Sequence, residues 1–167
     1  MKPDPSLLQD VDAPAPRDWS VDEERALRMW ISLARSYSTF SKVVGCKIAE
    51  YDLTMPQFGV IEALYHLGPL SLGELADKLL VTGGNVTYVM DRLEDMGLVY
   101  RQRSPSDRRV VRAHLTAEGR DRIGSVFAGH AAYIHEVANH LSKDEQDTLR
   151  QLLKKLGTAI KDSEATR

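Results

Sequence analysis

Glycine, threonine, asparagine and arginine in close succession are the residue types that grip phosphates and base edges, and two segments of this chain concentrate them. The first is Thr82-Gly83-Gly84-Asn85-Val86-Thr87-Tyr88, followed by Asp91-Arg92. The second, Leu98 to Arg112, holds five arginines (Arg101, Arg103, Arg108, Arg109 and Arg112) against the single acid Asp107, a net charge of +4. Duplex DNA is read by laying a helix in the major groove, which admits that diameter and displays distinct base edges. Such a helix needs an apolar face seated on its own domain and a polar face towards the bases. Val86, Val89, Met90, Leu93 and Met96 recur at helical spacing, and Gly84, Thr87, Tyr88, Asp91 and Arg92 fall opposite them. Small residues at the helix start let backbone amides approach a phosphate, helped by the helix dipole. Arg92 suits guanine or a phosphate, and Asn85 suits adenine or a phosphate. Arg108 or Arg109 at a hairpin tip would lie near the adjacent minor groove, where negative potential is concentrated, with Asp107 orienting a neighbouring arginine.

The elements that must position these residues are legible around them. Ser71 caps a short helix carrying Leu72, Leu75, Ala76 and Leu79, and Glu74 completes a capping box. Thr82-Gly83-Gly84 reads as the turn into the second helix, which Gly97 stops as a C-cap. The period then changes. Leu98 to Arg103 and Val110 to Leu115 read as two strands around a polar tip from Ser104 to Arg109. Two short helices or a basic hairpin alone are common in many folds. Their contiguity from Ser71 to Thr116 predicts a winged helix-turn-helix that binds double-stranded DNA.

Helices flank this unit. Ser20 with Glu23 starts a long one, which Ala26, Leu27, Trp30, Ile31, Ala34, Tyr37, Phe40, Val44 and Ile48 carry to about Tyr51, with Gly45 a candidate kink. That is longer than a small domain needs for its own core, as expected of a helix packing on a partner chain. Thr54-Met55-Pro56 opens a second helix, ended by Gly68-Pro69. Thr116 with Gly119 begins another, to about His140, and Ser142 with Glu145 caps the last, to about Ile160. The fold class is mainly α: a winged helix-turn-helix with long N- and C-terminal helices.

Composition bounds the alternatives. The 167 residues are 43% apolar and 28% charged, as in an ordinary globular protein. No apolar run approaches the ~20 residues of a membrane span, and the start lacks the pattern of a secretory signal. The lone Cys46 leaves no internal disulfide framework and fits a reducing cytoplasm. Overall the chain is acidic, at −2, and residues 1–25 alone carry seven acids against three bases, a net of −4. Local charge decides where a polyanion docks, so the basic hairpin outweighs the total. No nucleophile–base pair, paired-carboxylate signature or phosphate loop argues for an enzyme or a cofactor. His130, His135 and His140 are spaced by five, off any common helix face, so they are expected to be exposed or partly packed rather than metal ligands.

At this point the residues carry a family resemblance. Leu53-Thr54-x-Pro56-Gln57-Phe58, Leu75-Ala76-x-x-Leu79, Asn85-Val86-Thr87, Asp91-Arg92-Leu93-Glu94-x-x-Gly97-Leu98-Val99, Asp107-Arg108-Arg109 and Leu115-Thr116-x-x-Gly119 together resemble the MarR family of multiple-antibiotic-resistance-type regulators. The resemblance runs from about Val21 to Ile160, and the Gly83-to-Val89 stretch and Asp-Arg-Arg-Val wing are similar to its quinone- and hydroquinone-responsive branch. It implies a homodimer, joined through the first helix and the last two, whose two reading helices enter successive major grooves of a pseudo-palindromic operator, usually to repress. It implies DNA contacts at Thr82, Gly83, Asn85, Thr87, Tyr88 and Arg92, and at Asp107 with Arg109. It also implies a small aromatic or phenolic effector between the dimerisation and DNA-binding regions. The corresponding organisation is a dimerisation helix at 20–52, the DNA-binding domain at 53–116, C-terminal dimerisation helices at 117–161 and a tail at 162–167; the acidic, proline-rich segment at 1–19 lies outside the resemblance and reads as a disordered or loosely docked arm.

Sensor residues are harder to single out. Trp30, Tyr37, Phe58, Tyr65 and His66 are candidates to line an effector pocket, although aromatics at helical spacing usually belong to a core. Tyr37, Tyr65 and His66 carry polar groups that could meet a phenol or carboxylate. Cys46 is a candidate redox sensor, but it falls late in the first helix, where an inert core or interface cysteine is the expectation. A winged helix that contacts protein rather than DNA is a further alternative, against which the arginine cluster argues.

Overall fold

A computed structural model describes residues 18–79, 82–103 and 110–165. The chain divides into two compact units, residues 1–39 and 40–167. The described part of the first unit is the beginning of α1 (Val21–Ala49) with its cap. Ser20 and Glu23 form the expected capping box: the Ser20 amide donates to the Glu23 carboxylate at 2.7 Å, and the Glu23 amide donates to Ser20 Oγ at 3.2 Å. Asp22, Glu23 and Glu24 in the first turn complement the helix dipole. The helix runs unbroken through Gly45.

The second unit contains the end of α1, then α2 (Met55–Leu67), β1 (Leu70–Ser71), α3 (Leu72–Leu79), α4 (Gly83–Asp95), β2 (Val99–Arg103), β3 (Val111–Leu115), α5 (Ala117–Ala138) and α6 (Lys143–Ala165). It is a winged helix. The strands form an antiparallel sheet in the order β1-β3-β2. The two-residue β1 was not foreseen, because it exists only by pairing Leu70 with Ala113 and Ser71 with Arg112. Ser71 is therefore both a strand residue and the cap of α3. Its amide donates to Glu74 at 2.7 Å, and the Glu74 amide donates to Ser71 Oγ at 3.2 Å. The Thr82-Gly83-Gly84 stretch expected to be the turn is instead the start of α4. Thr82 is the N-cap, accepting from the Asn85 amide at 3.4 Å, and both glycines are already helical.

The core is built from one face of each element of this unit except α6. Phe58, Ile61 and Leu64 of α2 meet Leu75 of α3, Met90 and Leu93 of α4, Ala113 of β3, Ile123 of α5 and Ile48 at the end of α1. All are 4% exposed or less. The end of α4 is closed by paired bonds of the Schellman type. The Leu98 amide donates to the Leu93 carbonyl at 3.0 Å and the Gly97 amide to the Glu94 carbonyl at 2.9 Å, with Gly97 at φ +73°. Thr116 then caps α5 while its hydroxyl donates to the Gly97 carbonyl at 2.7 Å, tying the two helix ends together.

Two placements differ from the sequence reading. His130, expected exposed or partly packed, is only 7% exposed, while His135 and His140 are not buried. Its ring lies 4.4 Å from that of Phe58 and 6.3 Å from that of Phe127, and Nδ1 has no hydrogen-bond partner. Burial pushes its pKa down, with the nearby Glu62 charge opposing that shift. Cys46 is an exposed free thiol, so the core reading of it is set aside for the isolated chain. Among the described residues no helix is long and apolar enough to cross a membrane.

Candidate nucleic-acid interface

α4 has the two faces a reading helix requires. Val86, Val89, Met90 and Leu93 are buried, while Gly83, Gly84, Asn85, Thr87, Tyr88, Asp91 and Arg92 are exposed. Capping by Thr82 consumes the Asn85 backbone amide, and the Thr87 hydroxyl donates to the Gly83 carbonyl at 3.0 Å. That bond leaves the lone pairs of Thr87 Oγ1 free to accept. At Gly83 and Gly84 an added Cβ would meet nothing within 4 Å, so glycine there leaves open space at the helix start rather than relieving a contact inside the fold. A ligand backbone could approach that surface closely. The Arg92 guanidinium stacks over the Tyr88 ring at 5.4 Å and lies 3.8 Å from Asp95, an exposed arrangement that presents an aromatic and a cation together.

The hairpin charge divides into two kinds. Arg101, in the middle of β2, turns back onto α4. It pairs with Glu94, reaches Asp91 Oδ1 at 2.8 Å and donates to the Thr87 carbonyl at 3.0 Å. Arg112 in β3 donates to the Pro69 carbonyl at 3.3 Å and lies 3.8 Å from Glu74. Glu74 is held below the usual carboxylate range, first by the Ser71 amide and hydroxyl, with Arg112 and Lys78 adding to it. Two of the five arginines counted towards a DNA-binding charge are thus engaged with acceptors of their own fold. Nothing in a residue count separates them from Arg103, which is exposed at the end of β2. Asp107, Arg108 and Arg109, expected at the wing tip, lie outside the described residues.

The expected effector residues have separate surroundings. Phe58 is 2% exposed and belongs to the core, its ring 6.2 Å from Tyr51 and 4.4 Å from His130. Tyr65 and His66 meet edge-on at 5.1 Å, and His66 also meets Phe127 edge-on at 4.5 Å. Arg120 lies over the Tyr65 ring at 5.7 Å. His66 further borders an open groove of about 270 Å³ between α2 and α3, with Gly59, Glu62, Ala63, Leu67, Lys78 and Leu79. Trp30 and Tyr37 are exposed in the first unit, at 61% and 73%. Sequence reasoning missed Lys78 and Glu62, which belong to no motif and enter only because α2 and α3 cross.

Comparisons with known proteins agree with this geometry. The MarR family profile matches residues 53–111. Over 138 residues, 83% of this chain and 95% of the relative, the sequence is 36% identical to the HTH-type transcriptional regulator MhqR of Bacillus subtilis. It is 39% identical over 134 residues to the HTH-type transcriptional regulator YkoM of the same organism, covering 80% of this chain and 87% of that one. Among solved structures, Bordetella bronchiseptica BpsR superposes with a TM-score of 0.70 at 27% identity, covering 78% of this chain and 98% of that one. BpsR is a protein whose DNA binding is regulated by 6-hydroxynicotinic acid. A relative matched over nearly its whole length, a family profile lying on the helices and wing just described, and the same fold in a DNA-binding regulator lead to one conclusion: this chain belongs to the MarR family of transcriptional regulators.

Proposed function

We propose that the protein is a homodimeric, sequence-specific DNA-binding repressor whose α4 reads the major groove and whose wing reaches the adjacent minor groove. The observation that carries the reading is the exposed face of α4, where open glycines, Asn85, Thr87, Tyr88 and Arg92 stand opposite a buried stripe. Dimerisation is supported by apolar surface with no use in one chain. α6 has no buried residue, yet Leu149, Leu152, Leu153 and Ile160 on it are 42–60% exposed. In the first unit Leu27, Trp30 and Ile31 on α1 are likewise exposed at 43–61%. Surface of this kind marks a protein contact. In a two-fold dimer each reading helix takes one half-site, the centres about 10 bp apart.

A small aromatic effector would act by favouring a dimer whose reading helices no longer match that spacing. The regulation of BpsR by 6-hydroxynicotinic acid supports a hydroxylated aromatic ligand here, and the resemblance to the quinone-responsive branch supports testing quinones. Tyr65 and His66, whose rings meet edge-on, are the residues proposed to meet its polar groups. Redox sensing through the exposed Cys46 is a second reading; the effector reading expects Cys46→Ala to leave oxidant and quinone responses unchanged, and loss of the response in a gel shift would favour Cys46 instead.

The test is a gel shift on the protein's own upstream region. Binding that weakens steeply with salt is expected. Arg92→Ala and Arg109→Ala, both folded, should each bind more weakly, Arg109→Ala with a shallower salt dependence. Failure to bind any duplex at low salt would replace the repressor with a winged helix that contacts protein. Titration with small phenols, quinones and salicylates then identifies the effector class.

A further inference from the structure

We infer that Arg101 is a positioning residue that clasps the wing to the reading helix, and that Asp91, although it lies on the exposed face of α4, serves this clasp rather than the DNA. This assignment rests on the DNA-binding role proposed above. Thr87, Asp91 and Glu94 recur at helical spacing and form one stripe along two turns of α4. A single guanidinium spans that stripe. One of its amino groups pairs with Glu94, while the other reaches Asp91 Oδ1 at 2.8 Å and the Thr87 carbonyl at 3.0 Å. Only a planar fork satisfies three acceptors in this way, and a lysine ammonium would not. The Arg101 side chain is 23% exposed and Glu94 31%, so that pair is largely withdrawn from solvent, where screening weakens it less, while Asp91 at 58% lies at the solvent edge of the clasp.

The strand behind the clasp is short. β2 pairs with β3 from Val99↔Leu115 to Arg103↔Val111, and Arg101 is its midpoint, opposite the fully buried Ala113. Val99, the buried residue of β2, lies at the end away from the hairpin tip. The clasp is thus a polar tie that holds β2, from Arg101 to Arg103, against the reading helix. It also offsets half the charge of two carboxylates that would otherwise face the phosphates with α4.

The clasp gives an expectation of unusual sign. In Asp91→Asn/Glu94→Gln, two negative charges leave the face presented to a polyanion, so simple electrostatics predicts tighter DNA binding. A clasp predicts weaker binding, by about tenfold, with the salt slope unchanged because no phosphate contact is lost. Arg101→Lys keeps the charge but loses the fork, and is expected to behave like the double variant. The experiment measures operator affinity across salt concentrations for these variants, confirmed folded by circular dichroism and thermal melting. Hydrogen exchange of the β2 and β3 amides is followed in the DNA-free protein. Weakened binding with an unchanged slope and faster exchange from Arg101 to Arg103 support the clasp. Equal or tighter binding by the double variant, wild-type behaviour of Arg101→Lys, or unchanged hairpin exchange overturns it. If the wild type binds no duplex, the DNA reading fails and the exchange measurement alone decides the clasp.

Discussion

Replacing Gly119 with alanine sets two physical effects against each other. Gly119 lies in the first turn of α5, an ordinary helical position at which alanine is the better helix former by about 1 kcal/mol. Helix propensity alone therefore predicts a more stable protein. Packing predicts the reverse, because a Cβ on Gly119 would stand 2.0 Å from the Leu98 carbonyl oxygen and 2.9 Å from its carbon, with a Leu115 methyl at 3.2 Å. The obstacle is backbone, not a side chain that can rotate away. To reach a tolerable separation, α5 and the segment after α4 must part by more than ~1 Å, and overpacking of this kind costs about 1–3 kcal/mol. That movement pulls on two bonds that join the same pieces: the Thr116 amide to the Leu98 carbonyl at 3.1 Å, and the Thr116 hydroxyl to the Gly97 carbonyl at 2.7 Å. Each is worth about 1 kcal/mol net. After the propensity gain, the loss is about 2–4 kcal/mol, and in a chain of this size the melting temperature falls by roughly 5–15 °C. The assay is thermal or urea unfolding at fixed protomer concentration, since association shifts apparent stability. Gly73→Ala is the control: Gly73 lies in the first turn of α3, nothing stands within 4 Å of its added Cβ, and a small stabilisation is expected. A Gly119→Ala protein as stable as the wild type, with Gly73→Ala behaving as stated, would refute the close approach of α5 to Leu98.

His130 carries a pH expectation. Its folded pKa is pushed below 6.5 chiefly by burial, so between the folded value and 6.5 the unfolded chain holds more protons. Stability from this group is complete above about pH 6.5 and is lost as the pH falls through that window; His130→Leu should flatten the pH 5–7 limb of an unfolding series, and an unaltered limb would assign it elsewhere. Glu23, Glu74 and Glu145 are held below 4.5 by their capping serines, chiefly through the serine amide for the first two and the serine hydroxyl for Glu145. Their contribution is present above that value and disappears at more acid pH, so Glu74→Gln, which removes the titrating carboxylate, should lower stability at about pH 7 and leave it little changed near pH 2, as read by melting temperature. Leu152→Asp on the exposed apolar side of α6 should yield monomers in analytical ultracentrifugation while preserving helical content, with operator affinity reduced at least about tenfold because one half-site alone is read; a dimer that persists would move the interface off α6.

The sequence by itself determined the elements whose signals act over three or four residues. Capping boxes at Ser20, Ser71 and Ser142 are short-range hydrogen bonds that need only Glu three residues on, and all three form. The buried stripe of α4 and the switch to a two-residue period at β2 follow from periodicity in the same way. Tertiary structure alone decided what those elements do to one another. β1 has no local signal and exists because β3 pairs with it; His130 is polar by type yet buried because α5 lays it on Phe58. Gly119 is marked by its place after Leu115-Thr116, but its reason is the Leu98 carbonyl against which α5 begins. The arginines show the difference most plainly. Counted along the chain, Arg101, Arg103 and Arg112 are equal charges, whereas in the fold Arg101 and Arg112 are engaged by Asp91, Glu94, Glu74 and backbone carbonyls brought to them by packing. Charge is a property of residue type and can be read in one dimension; whether it is available to DNA depends on which acceptors the fold brings within about 3 Å of it.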